Sequence, residues 1–126
     1  MNMSSLTEFS PRNFHMETTS NDGAIRVTLR GNADMNVIDP LDQYLTGVHD
    51  RAMEQRVACV NVDFRELEFM NSSCFKSFVS WLGKVQDLPE GNRYRIVFFS
   101  NRDMHWQRRS LNALRCFAMD VVSLEQ

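Results

Sequence analysis

Two short runs constrain this chain more than anything else in it. Val57-Ala-Cys-Val-Asn-Val-Asp63-Phe64 and Tyr94-Arg-Ile-Val-Phe-Phe-Ser100 are almost continuous in apolar and small residues. Strands apolar on both faces belong in the middle of a parallel sheet covered by helices. Parallel neighbours also need a crossover of a dozen or more residues between them. The intervening stretch supplies one. Phe75, Phe78, Val79, Leu82 and Val85 recur at helical spacing and predict a helix over 73–87, stopped by Leu88-Pro89-Glu90-Gly91-Asn92.

The same reasoning extends in both directions. Asp39 reads as an N-cap and Pro40 as the first residue of a helix over 40–55, with Leu41, Tyr44, Leu45, Val48 and Ala52 on its apolar face. Gly47 weakens that helix by up to ~1 kcal/mol relative to Ala. A third helix over 104–117 is expected to face inward with Trp106, Ser110, Ala113, Leu114 and Phe117, and Val121, Val122 and Leu124 form a short last strand. Upstream the period changes to two. Phe14, Met16 and Thr18, then Ile25, Val27 and Leu29, alternate with polar neighbours around Ser20-Asn21-Asp22-Gly23, a hairpin signal. The predicted class is α/β: a mixed sheet in the order β-β-α-β-α-β-α-β, with an antiparallel hairpin, then parallel βα units with right-handed crossovers. The Ser-rich stretch 1–12 is expected to be a flexible lead-in and 13–126 a single domain, as a length of 126 residues suggests.

Composition narrows the function. Fourteen basic and sixteen acidic residues leave a net charge of −2, without the basic excess of a dedicated nucleic-acid binder. No apolar run approaches the ~20 residues that span a bilayer, and the start lacks the charged and apolar regions of a signal peptide. Cys59, Cys74 and Cys116 are odd in number and show no metal spacing, which fits a reducing cytoplasm and three small buried hydrophobes. No glycine-rich phosphate loop occurs, so no cofactor is expected.

Chemistry concentrates in Asp63-Phe64-Arg65-Glu66-Leu67-Glu68-Phe69-Met70-Asn71-Ser72-Ser73-Cys74. A strand leaves the sheet at Asp63, a surface link is anchored by Leu67 and Phe69, and Asn71, Ser72 and Ser73 fall where a helix begins. The bland explanation is that one of the three caps the helix and the others are spare. The sharper one is a phosphoacceptor serine, because a phosphate at a helix N-terminus meets free N–H groups and the favourable end of the dipole.

This stretch resembles the signature of STAS domains, the anti-sigma-factor-antagonist family: a strand ending in Asp, a spacer with two apolar anchors, then Asp-Ser-Ser-Gly opening a helix. Leu29-Arg30-Gly31-Asn32-Ala33-Asp34 resembles the family's strand-end Gly-x-Leu-Asp. The resemblance covers about residues 13–124. It implies a non-catalytic protein-binding regulator of the cytoplasm that switches partners through serine phosphorylation. The modified residue would be Ser72, with Ser73 as second choice, and Asp34, Asn71, Ser72, Ser73 and Cys74 would frame the docking surface. The implied partners are an anti-sigma factor or a histidine-kinase-like serine kinase, and a serine phosphatase; nucleic acid and membrane are not implied, and the protein would be a monomer or weak homodimer. Asn71 and Cys74 stand where the family has Asp and Gly.

Three other readings compete. One is a STAS-like adaptor that docks constitutively without phosphorylation. Another is a small enzyme using Cys74 as nucleophile, with a thiol activated at the helix N-terminus. A magnesium-dependent phosphoacceptor Asp63 lacks the further carboxylates such a site needs. Arg102, Arg108, Arg109 and Arg115, against Asp103, read as a solvated helix face or as a patch for an acidic protein or RNA.

Overall fold

The structure is a computed structural model that describes the backbone of residues 5–9 and residues 13–21 and 23–126 in full. Six strands form one sheet in sequence order: β1 (Ser5–Phe9), β2 (Phe14–Asn21), β3 (Ala24–Ala33), β4 (Cys59–Met70), β5 (Arg95–Phe99) and β6 (Val122–Glu125). The first three pair antiparallel and the last four parallel. The helices α1 (Ile38–Gln55), α2 (Ser72–Gln86) and α3 (His105–Phe117) fill the three crossovers. β1 falls in the stretch expected as a lead-in, and the rest of 1–12 lies outside the described residues. No helix among the described residues is long and apolar enough to cross a membrane.

The strand order never reverses. Right-handed crossovers that all advance in one direction put their helices on the same side of the sheet. The burial pattern agrees: Ile25, Val27 and Leu29 of β3, Val60, Val62 and Phe64 of β4, and Ile96 and Phe98 of β5 join the inner residues of α1, α2 and α3 in one core. The expectation that 57–63 and 94–100 are covered on both faces is therefore corrected. Their alternate residues, Cys59, Asn61, Asp63, Val97 and Phe99, are only half-buried on the opposite face. There Asp63 accepts hydrogen bonds from Arg26 and Arg65, and both guanidiniums lie over the Phe99 ring.

Local chemistry explains most boundaries. Asn21 pairs with Ala24, which leaves a two-residue turn through Asp22, itself outside the described residues, and Gly23 at φ +75°. α1 begins one residue before Asp39 because a 3-10 turn, Met35–Val37, runs straight into it. Asp34, not Asp39, provides the side-chain cap, accepting from the Asn36 amide. Asp39 sits in the first turn, where a carboxylate favours the dipole. The α3 face is rotated by one position from expectation. Gln107, Leu111 and Leu114 point inward, while Ala113 and Phe117 are exposed. Cys116 is also exposed and Cys59 half-buried, so only Cys74 behaves as a fully buried hydrophobe.

Gly31 is the one glycine whose absence of a Cβ the fold requires. Its φ is +92°, and a Cβ there would lie 2.2 Å from the Asn13 carbonyl oxygen. Gly31→Ala is expected to destabilise by ~1–3 kcal/mol from backbone strain, read as a lowered midpoint in urea titration with an unchanged slope.

Candidate functional site

The site forms at the carboxyl ends of the parallel strands β3 and β4. Ala33 and Met70 are ladder partners, and the Asn71 amide donates to the Ala33 carbonyl at 2.9 Å. That bond stops β4 beside β3. Asn71 then adopts an extended conformation and its Oδ1 accepts from the Cys74 amide at 3.0 Å, capping α2. The amide side chain thus does the capping work of the carboxylate it replaces, without its charge. Ser72 is the first residue of α2 and is exposed; Ser73 is half-buried. The Phe75 amide is taken by the Asn71 carbonyl. The amides of Ser72 and Ser73 have no acceptor among the described residues, as first-turn amides of a helix usually do not.

Cys74 points inward and is fully buried. Its Sγ donates to the Asp34 carbonyl at 3.5 Å, which ties the start of α2 to the strand end that carries Asp34. The structure so gathers Asp34, Asn71, Ser72 and Ser73 at one end of the sheet and buries Cys74 beneath them as a floor, where it is not exposed. Burial, then the carboxylates of Asp34 and Asp42, push the Cys74 thiol up to about 11. A nucleophilic cysteine needs the opposite shift, so the chemistry of this thiol is that of a packed hydrophobe.

Phe69, expected as an anchor, is 48% exposed, and Met35 is 74% exposed. Phe64 and Leu67 are the fully buried anchors of the outer half of β4, and Met70 packs at the margin of the core. The surface next to Ser72 therefore combines a hydroxyl, carboxylates and two exposed apolar side chains. Such a mixture suits a protein partner, since apolar anchors in a polar rim supply binding energy.

Asp63 lies away from this cluster, on the open sheet face. Burial raises its carboxyl, but hydrogen bonds from Arg65 and Arg26 outweigh that and hold it below the ordinary carboxylate value. Arg102, Arg108, Arg109 and Arg115 are all exposed and make no ion pair among the described residues. Among the described residues, no group of three side chains is placed to hold a metal ion.

One functional candidate escaped the sequence. Gln107 of α3 is fully buried, and its Nε2 donates to the carbonyls of Phe64 and Leu67 on β4. The available signal was a glutamine in register with Leu111, Leu114 and Ala118, a polar residue placed in an apolar stripe.

No protein-family model matches the sequence, and no curated protein matches it either. Solved structures do match the fold. An anti-sigma factor antagonist from Mycobacterium paratuberculosis superposes with a TM-score of 0.64 at 16% identity, over 92% of this chain and 88% of that one. The anti-sigma factor antagonist SpoIIAA, in its unphosphorylated form, superposes with a TM-score of 0.60 at 15% identity, over 88% of each chain. The chain therefore has the STAS fold of anti-sigma-factor antagonists.

Proposed function

We propose that the protein is a non-catalytic regulator that works by binding, an anti-sigma-factor-antagonist-like module of the cytoplasm whose partner choice is set by phosphorylation of Ser72. The observation that carries this reading is the exposed Ser72 hydroxyl at the first position of α2, framed by Asp34 and the Asn71 cap, in a fold shared with such antagonists. A phosphate on Ser72 would find the unused amides of Ser72 and Ser73 at the positive end of the helix dipole. It would also add about −1.5 to −2 charge beside the carboxylates of Asp34 and Asp42. A partner seated on the neutral serine, against Met35 and Phe69, would then meet like charge in place of a hydroxyl. The fitting partners are an anti-sigma factor or a serine kinase of the histidine-kinase-like class, with a serine phosphatase resetting the switch.

The test is partner capture by variants of the full chain. Ser72→Ala is expected to retain the partner. Ser72→Asp should weaken capture roughly tenfold, about 1.4 kcal/mol, while Ser80→Asp, two turns along α2 and also exposed, should leave it unchanged. Mass spectrometry of protein isolated from its native cell should find the phosphate on Ser72, or failing that on Ser73. Asn71→Asp should raise phosphorylation by restoring a carboxylate to the recognition surface. Equal binding by both Ser72 variants, with no phosphate at 72 or 73, would instead make the protein a constitutive adaptor.

A further inference from the structure

β4 pairs with β5 only as far as Asp63 and Phe99, yet it runs on for seven residues to Met70. On its β3 side the ladder continues, though its register shifts twice, between Thr28 and Arg30 and between Gly31 and Asn32. On the other side the sheet has ended, and the carbonyls of Phe64, Arg65 and Leu67 face no strand there. Side-chain amides partner them. Gln107 Nε2 donates to the Phe64 carbonyl at 2.6 Å and to the Leu67 carbonyl at 2.8 Å, and Asn101 Nδ2 donates to the Arg65 carbonyl at 3.2 Å. Gln107 Oε1 accepts from the Asn101 amide at 2.8 Å, so both ends of the glutamine side chain are fixed. Leu67 is the last fully buried residue before Cys74, and Glu68 and Phe69 between them are exposed. The chain that delivers Ser72 thus leaves its last fully buried residue at the one whose carbonyl Gln107 holds, and beyond it only the β3 ladder, the partly buried Met70 and the Asn71–Ala33 bond secure it.

We infer that Gln107, seconded by Asn101, is a positioning residue for Ser72: its amide takes the place of the missing strand beside β4 and fixes where α2 begins. The purpose assigned to this device rests on the switch reading of Ser72, whereas the device itself rests on the hydrogen bonds alone. It also makes the start of α3 part of the site. A change in the 101–107 segment reaches Ser72 through three hydrogen bonds and five residues of chain, with no contact to a docked partner.

Cys74 offers a local gauge, because its thiol is fully buried beneath the Asn71–Cys74 turn and opening of that turn would expose it to reagent. Gln107→Leu keeps the bulk and removes both donors. Leu111→Ala, on the same inner face of α3, is the comparison: it loosens the helix without touching a β4 carbonyl. Site-resolved iodoacetamide labelling and amide hydrogen exchange would be read on both full-length variants, at urea concentrations that equalise their global stability. Labelling of Cys74 and exchange over 68–74 are expected to rise about tenfold more in Gln107→Leu than in Leu111→Ala, with β2 and β3 unchanged. Equal rises in the two variants, or an unchanged 68–74 segment, would overturn the positioning role. If Gln107→Leu does not fold, Asn101→Ala is measured in its place and should shift the same segment in the same direction; no shift there would overturn the role as well. Partner capture is a separate arm. A loosened 68–74 segment with unaltered capture would tell against the Ser72 reading and leave the positioning role standing.

Discussion

Phe78→Ala is expected to cost ~3–5 kcal/mol of folding stability, the usual range for deleting a fully buried aromatic ring. Phe78 lies at the centre of the inner face of α2 and is completely shielded from solvent. Its ring stands edge-on to Phe64 of β4 at 5.3 Å and to Phe98 of β5 at 6.1 Å, and those two rings meet each other at 5.5 Å. Three elements therefore share one aromatic cluster, whose edge-to-face pairs each add ~0.5–1.5 kcal/mol beyond area burial. The hydrogen-bonded ladder between β4 and β5 prevents the walls from collapsing into the space that alanine would leave. That places the loss toward the upper part of the range. Leu82→Ala, one turn further along the same face, should cost ~2–5 kcal/mol. Urea titration of purified variants measures both. A loss under about 0.5 kcal/mol, the range of surface substitutions, would mean that Phe78 does not face the sheet. Because α2 carries Ser72 at its first position, this cluster also sets the base on which the candidate site stands.

What could be read in the sequence was whatever burial writes as a period. The alternation Ile25, Val27, Leu29 and the stripe Leu41, Tyr44, Leu45, Val48, Ala52 appear unchanged as the inner faces of β3 and α1. In α2, Phe78, Leu82 and Val85 are buried, while Phe75 and Val79 pack only at the margin and Trp81 takes a central place. The outer half of β4 was illegible because it has one sheet neighbour in place of two, and its shifted ladder breaks the period of two. Phe69, apolar in sequence, is exposed there, and no apolarity rule separates a core anchor from a side chain at a binding surface. The face of α3 was misread for a different reason. Its centre is Gln107, whose contribution is hydrogen bonding to strand carbonyls that have lost their ladder, and a stripe drawn through Trp106, Ala113 and Phe117 cannot register that. The open sheet face was missed because Cys59 and Val97 look like core residues. Only the strand order, which composition does not encode, decides whether a second layer of helices covers them. The gathering of Asp34, Asn71, Ser72 and Ser73 was legible only through resemblance. Asp34 and Ser72 are far apart in sequence, and the parallel β3–β4 pairing brings their strand ends together.

Tyr94→Phe is expected to cost about 2–4 kcal/mol although it removes a single oxygen, because that oxygen serves two buried groups. The Tyr94 hydroxyl accepts from Trp81 Nε1 at 2.8 Å and lies 2.7 Å from His49 Nδ1. Indole can only donate, so the phenol accepts there, and its own proton is available to Nδ1 when His49 is neutral with its proton on Nε2. Burial raises the Tyr94 phenol well above its ordinary value, so it stays a donor at any physiological pH. Burial, and then the charge of Lys84, lower the His49 pKa below its ordinary 6.5; Asp50 opposes them weakly. The sign follows from linkage. The folded state resists protonation that the unfolded chain accepts, so the His49 contribution is complete above pH 6.5 and is lost as pH falls from there through the depressed folded value. Wild-type stability should accordingly decline just below pH 6.5, before Asp63, Glu17 and Asp120, all held below their ordinary carboxylate values, begin to titrate. In Tyr94→Phe the Nδ1 hydrogen bond is gone in both protonation states, so whatever preference it gives the neutral ring is lost. The variant should therefore be less stable at pH 7.5 and show a shallower decline between pH 6.5 and the onset of carboxylate titration. Urea midpoints across that interval decide the matter: a parallel decline in the two proteins would separate the histidine from the tyrosine, and a loss below about 0.5 kcal/mol at pH 7.5 would mean that water replaces the hydroxyl.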